Sequence, residues 1–99
     1  MASIGLTDRE MDLIRGVLKR HEEITGAVMF GSRAKGTASP ASDIDLALEG
    51  IEDELAAEAI AAELEDLPLP YRFDVKAMVA IQSQALREHI DRVGVKIHG

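Results

Sequence analysis

The sequence contains no cysteine among its 99 residues, which excludes disulfides and thiolate metal sites and fits a reducing cytoplasm. Tryptophan is absent as well, and the aromatic complement is Phe30, Tyr71 and Phe73, so aliphatic side chains and alanine must fill the core. Basic residues are scarce: eleven Lys and Arg stand against eighteen Asp and Glu, a formal net charge of −7. A groove for duplex nucleic acid needs clustered cations to displace counterions from phosphate. No such stripe exists here, so a nucleic-acid substrate is disfavoured and no DNA partner is expected. No run approaches the roughly 18 to 20 apolar residues of a membrane span. The first residues, MASIGLTD, lack the basic start and apolar stretch of a signal peptide. Repeats, low-complexity tracts and interdomain linkers are also missing. The expectation is one soluble cytoplasmic domain over residues 1–99, with no membrane partner, whose 46% apolar content fills a single modest core.

What is present is an alternation of helical and strand patterns. Thr7 followed by Glu10 reads as a capping box, and Met11, Ile14, Val17 and Leu18 form an apolar stripe at helical spacing. Gly26 is expected to end that segment. Ala27 to Phe30 is a short apolar run of buried-strand type, stopped by Gly31. Residues 31–42 (GSRAKGTASPAS) are small, polar and turn-rich, hence a loop. From 43 to 49 the chain alternates, with Asp43, Asp45, Ala47 and Glu49 on one side and Ile44, Leu46 and Leu48 on the other. Residues 52–66 read as a helix with Leu55, Ala59 or Ile60, and Leu64 inward, broken by Pro68 and Pro70. Alternation returns at 71–78, where Tyr71, Phe73, Val75 and Ala77 oppose Arg72, Asp74, Lys76 and Met78. A last helix over about 81–93 turns Leu86, Ile90 and Val93 inward and is capped by Gly94. The order α-β-loop-β-α-β-α implies an α/β (α+β) fold. It is a small mixed sheet with helices packed on one face and an open, aspartate-bearing face opposite. The helix between the two later strands favours a parallel pair with a right-handed crossover.

The chemistry concentrates on that open face. Asp43 and Asp45 are two residues apart on a strand, so their carboxylates project to the same side. Asp74, on the polar face of the next strand, stands beside them if the strands pair. Three carboxylates on one face repel one another, and a hard divalent cation bound by oxygen is the usual remedy. A pair of such cations activates an attacking oxygen and stabilises a leaving diphosphate. Gly31 and Ser32 close the first strand with a backbone that can approach phosphate and a hydroxyl donor. Arg33 and Lys35 add cations where β- and γ-phosphates would rest. Antiparallel pairing of the first two strands sets Gly31 beside Asp43, joining phosphate grip and metal ligands at one edge.

Gly31-Ser32, ten residues, then Asp43-Ile44-Asp45 forms the pattern G-S-x10-D-x-D, which resembles the DNA polymerase β-like nucleotidyltransferase superfamily. The closer resemblance is to its minimal nucleotidyltransferase (MNT) group, through GSRA-x-G at 31–36 and Ser42-Asp43-Ile44-Asp45-Leu46, and it spans essentially the whole chain. Lys35 stands where arginine is common, which keeps the charge but loses the planar fork. The resemblance implies that Asp43 and Asp45 bind two Mg²⁺ ions and that Asp74 completes the second site and accepts the proton of the attacking hydroxyl. It also implies that Gly31, Ser32 and Arg33 hold the triphosphate of the nucleotide, ATP, with Lys35 and Ser42 as further nucleotide-binding candidates. Solitary MNT proteins act beside a HEPN-domain protein, an α-helical RNase toxin, and neutralise it by attaching AMP to a tyrosine. A chain of this size carries no separate segment for an acceptor, so a folded protein acceptor of that kind is expected, and an acidic chain suits a basic partner.

Blander readings compete at several positions. A lone D-x-D is weak, because aspartates at strand starts are often solvated turn residues; the G-S spacing and Asp74 lift it. GSRAKGT fails as a P-loop, since Thr37 follows the second glycine where lysine is required. Arg33 and Lys35 compete with a reading as solvated loop cations, and Arg72 and Lys76 are preferred as local charge balance for Asp74. His21, His89 and His98 lack ligand spacing and read as surface histidines, not zinc ligands. Tyr71 and Phe73 read as core. The function expected is protein adenylylation of a HEPN toxin. The alternatives are an antitoxin that masks the toxin by contact and, distantly, nucleotidyl transfer to RNA or a small molecule.

Overall fold

Thr7 opens helix α1 (Asp8–Lys19) as the sequence predicts. Its hydroxyl accepts from the Glu10 N–H at 3.1 Å while the Glu10 carboxylate accepts from the Thr7 N–H at 2.9 Å. Such reciprocal capping satisfies two donors that the helix start leaves unpaired. The structure is a computed structural model that describes residues 6–31 and 43–99. Met11, Ile14, Val17 and Leu18 are all buried. The helix does not run on to Gly26, however. After Leu18 the apolar stripe gives out, and Arg20 and His21 donate backward to Val17 and Leu18 in a tightened last turn. Gly26 instead begins strand β1 (Gly26–Phe30).

Strand β1 pairs antiparallel with β2 (Ile44–Glu49), in a register running from Gly26 opposite Glu49 to Phe30 opposite Asp45. Helix α2 (Glu54–Glu65) follows, capped by the Asp53 carboxylate, which accepts from the Ala56 N–H at 2.9 Å. Its inward residues are Ala57, Ile60 and Leu64, spaced three and four apart. Leu55 was expected inward but is 75% exposed, because it lies well round the helix from that stripe. Strand β3 (Phe73–Ala77) then pairs parallel with β2, as the intervening helix implies.

Beyond β3 the chain departs further from expectation. Met78–Ala80 forms a 3₁₀ turn, and the last helix, α3 (Gln84–Val93), starts three residues later than predicted, where the Ser83 hydroxyl accepts from the Leu86 N–H at 3.2 Å. Gly94 ends it, with its N–H on the Ile90 carbonyl at 2.8 Å. A Cβ there would run into the Ile90 carbonyl oxygen and Val28 Cγ1, so glycine permits the close passage. A fourth strand, β4 (Val95–His98), unexpected from the sequence, then pairs antiparallel with β1 and gives the sheet order β3-β2-β1-β4.

The main core lies between one sheet face and helices α1 and α2, where Ile14, Leu18, Met29, Ile44, Leu46, Leu48, Ile60 and Leu64 are fully or almost fully buried. The opposite face is not left open throughout. Phe30, Ala47, Ile81 and Ile90 form a second buried cluster, joined by Val28, Met78 and Leu86, so α3 covers the β1 side. The cause is in β1 itself: AVMF is apolar at every position, so both its faces need a cover. The β2–β3 side keeps the polar residues.

Candidate active site

Asp45 is the second residue of β2 and faces the second side of the sheet, where strand register gives it two neighbours. Phe30 is its partner across β1, and Gly31 follows at once; Asp74 is its partner across β3. Adjacent strands run roughly 4.8 Å apart, so the Asp45 and Asp74 side chains rise side by side from one face. Asp43 precedes β2, exposed and two residues before Asp45. Gly31 has φ +77, a left-handed conformation natural to glycine, and a Cβ there would strike the Asp45 carboxylate. The end of β1 and the start of β2 thus meet as expected, with the glycine backbone against a carboxylate. Ser32, Arg33, Lys35 and Ser42 lie outside the described residues.

The electrostatics report the same crowding. The pKa of Asp45 is raised, first by partial burial and then by the negative charges of Asp74 and Asp43, while Lys76 and His89 pull it down. Lys76 Nζ stands 3.6 Å from Asp74 Oδ1. Lys76 therefore does balance Asp74, as preferred from the sequence. His89 is half-buried on α3 rather than at a free surface, and it contributes to the field at Asp45. Its spacing from Leu86, three residues, was the available signal. His21 is also half-buried: its ring nitrogens meet Glu23 at 3.1 Å and Glu63 at 2.7 Å, tying the turn after α1 to α2.

Among the described residues no three His, Cys, Asp or Glu side chains are already closed around one point. The donor chemistry nonetheless fits a hard cation: the oxygens are all carboxylate, Asp45 and Asp74 share one sheet face, and Asp45 resists ionisation first through partial burial and then through the charges of Asp74 and Asp43. Among the described residues, a groove between Thr7, Leu13 and Leu69 and a cleft by Val28, Glu49 and Ile90 are hollow. Neither contains the aspartates. The carboxylate face is the better candidate, since hollow shape alone supplies no chemistry whereas packed like charges need a partner.

A family model described as polymerase beta, nucleotidyltransferase, matches residues 12–99. The chain belongs to this family. It is a nucleotidyltransferase, and the mixed four-stranded sheet and three α-helices of the described residues have the polymerase β-like fold. It is 32% identical over 98 residues to a probable protein adenylyltransferase, MntA, of Haemophilus influenzae, covering 97% of this chain and 85% of that one. Among solved structures it resembles a toxin–antitoxin with AMP-PNP (TM-score 0.74, 21% identity, 95% of this chain and 74% of that chain). It also resembles a tri-AMPylated Shewanella oneidensis HEPN toxin in complex with MNT antitoxin (TM-score 0.73, 18% identity, 95% and 73%). At those identities the solved structures establish the fold.

Proposed function

We propose that this nucleotidyltransferase is an antitoxin that moves AMP from ATP onto a tyrosine of a HEPN-type RNase toxin, with Asp43, Asp45 and Asp74 as its catalytic carboxylates. The observation that carries the reading is the register that sets Asp45 between Gly31 and Asp74. The relative of 32% identity, a probable protein adenylyltransferase, supports the substrate class. The solved complexes with AMP-PNP and with an AMPylated HEPN toxin support the nucleotide and the partner.

Chemically, the tyrosine oxygen attacks the α-phosphorus of ATP, the bond to the diphosphate breaks, and the phenolic proton must leave. In this reading Asp74, half-exposed on the edge strand β3, accepts that proton from an acceptor approaching the polar side of the sheet, and its exposure supports the role. Gly31 lets the triphosphate lie close to the protein backbone at the sheet end, and Ser32, Arg33, Lys35 and Ser42 complete the grip on it. Asp43 and Asp45, with Asp74, would hold two Mg²⁺ ions, which when bound supply charge neutralisation of the triphosphate and the diphosphate. The net charge of −7 suits a basic acceptor protein better than RNA.

Incubation with α-labelled ATP, Mg²⁺ and the purified toxin tests the proposal. Label should pass to the toxin tyrosine with wild type and not with Asp43→Ala/Asp45→Ala. Equal labelling by the double variant, or full neutralisation of the toxin by it, would overturn the catalytic reading and favour masking by contact.

A further inference from the structure

Lys76 stands two residues beyond Asp74 on β3, and its register partner is Ala47, two beyond Asp45 on β2. These four positions form one rectangle on the polar sheet face, with the two carboxylates at one end and the lysine just behind them. The Nζ–Oδ1 separation to Asp74, 3.6 Å, is an ion-pair distance and longer than a charge-assisted hydrogen bond. Both side chains keep contact with water, 37% exposed for Lys76 and 51% for Asp74. A pair of that kind is weak and easily opened. Asp74 is thus held without being locked, by a cation that also faces Asp45.

We propose that Lys76 is a working part of the active site: it steadies the carboxylate face before substrate arrives, yields Asp74 to metal, and attracts the phosphates of the incoming nucleoside triphosphate. This rests on the carboxylate site described under the proposed function. The ammonium acts with opposite sign on the two ligands. It repels a free divalent cation approaching the aspartates, and it draws in the polyanionic nucleotide. A surface ion pair of no consequence would change neither affinity, and a merely structural lysine would weaken both together.

The test uses the full chain as wild type, Lys76→Met and Lys76→Arg. Free Mn²⁺ binding is read by electron paramagnetic resonance, and AMP-PNP binding in saturating Mg²⁺ by calorimetry. Lys76→Met should bind free Mn²⁺ roughly 3- to 10-fold more tightly and AMP-PNP roughly 3- to 10-fold more weakly, as expected for one charge a few ångströms away in a partly solvated site. Lys76→Arg, which keeps the charge, should resemble wild type in both. Two unchanged affinities, or two that weaken in parallel, would overturn the role of Lys76 while leaving the carboxylate site standing. A wild type that binds neither ligand would overturn the proposed function itself.

Discussion

Asp45 carries a burden that its fold partners create. Desolvation and the charges of Asp74 and Asp43 raise its pKa, so folding favours its protonated form. The stability it contributes is fully present below the ordinary aspartate value of about 3.9 and is lost as pH rises through its higher folded value. At neutral pH the ionised carboxylate is therefore a local strain, partly relieved by Lys76 and His89. Asp45→Asn should raise the melting temperature at pH 7 by roughly 1–3 °C while abolishing nucleotidyl transfer, and the gain should vanish at pH 3. Unchanged or lowered melting at pH 7 would contradict the crowding. Gly31→Ala imposes a methyl group on the same carboxylate and a left-handed backbone on a non-glycine residue. It should cost about 1–2 kcal/mol in denaturant unfolding and impair transfer as well. A variant as stable and active as wild type would show that Gly31 does not hug Asp45.

At the scale of elements, the helices and strands with strong periodicity were legible and the short or composite ones were not. Strand β2 and strand β3 alternate cleanly, so both their existence and their polar face, with Asp45 and Asp74 on it, followed from residue spacing. Strand β4 was missed although Val-Lys-Ile-His alternates strictly, because four residues directly after a helix end are the shortest run in which alternation can be read. Pairing with β1, and the bond from Arg15 Nε to the Ile97 carbonyl at 2.9 Å, give it a place that no local pattern announces. Ile97 is buried, so Ile97→Ala should destabilise the fold by about 2–4 kcal/mol in urea melts. Leu55→Gln should stay within about 0.5 kcal/mol, since that residue lies on the solvent side of α2. The reverse ranking of these two variants would restore the inward Leu55 of the sequence reading and remove β4 from the core. The cover over the second sheet face was missed for a related reason. The all-apolar β1 signals burial on both sides, but helix periodicity does not say which face α3 will take.

For the whole molecule, the proposed site gathers where secondary structure changes hands, at the end of β1, the start of β2 and the start of β3. The sheet order β3-β2-β1-β4 places that edge so that the described carboxylates share one side, while α1 and α2 seal the other. Metal-dependent capture of nucleotide tests the central claim most directly. Calorimetry with AMP-PNP should show saturable binding by wild type in Mg²⁺, loss of it in EDTA, and loss of it in Asp43→Ala/Asp45→Ala. Equal binding with and without the cation, or undiminished binding by the double variant, would contradict an active site built on these aspartates.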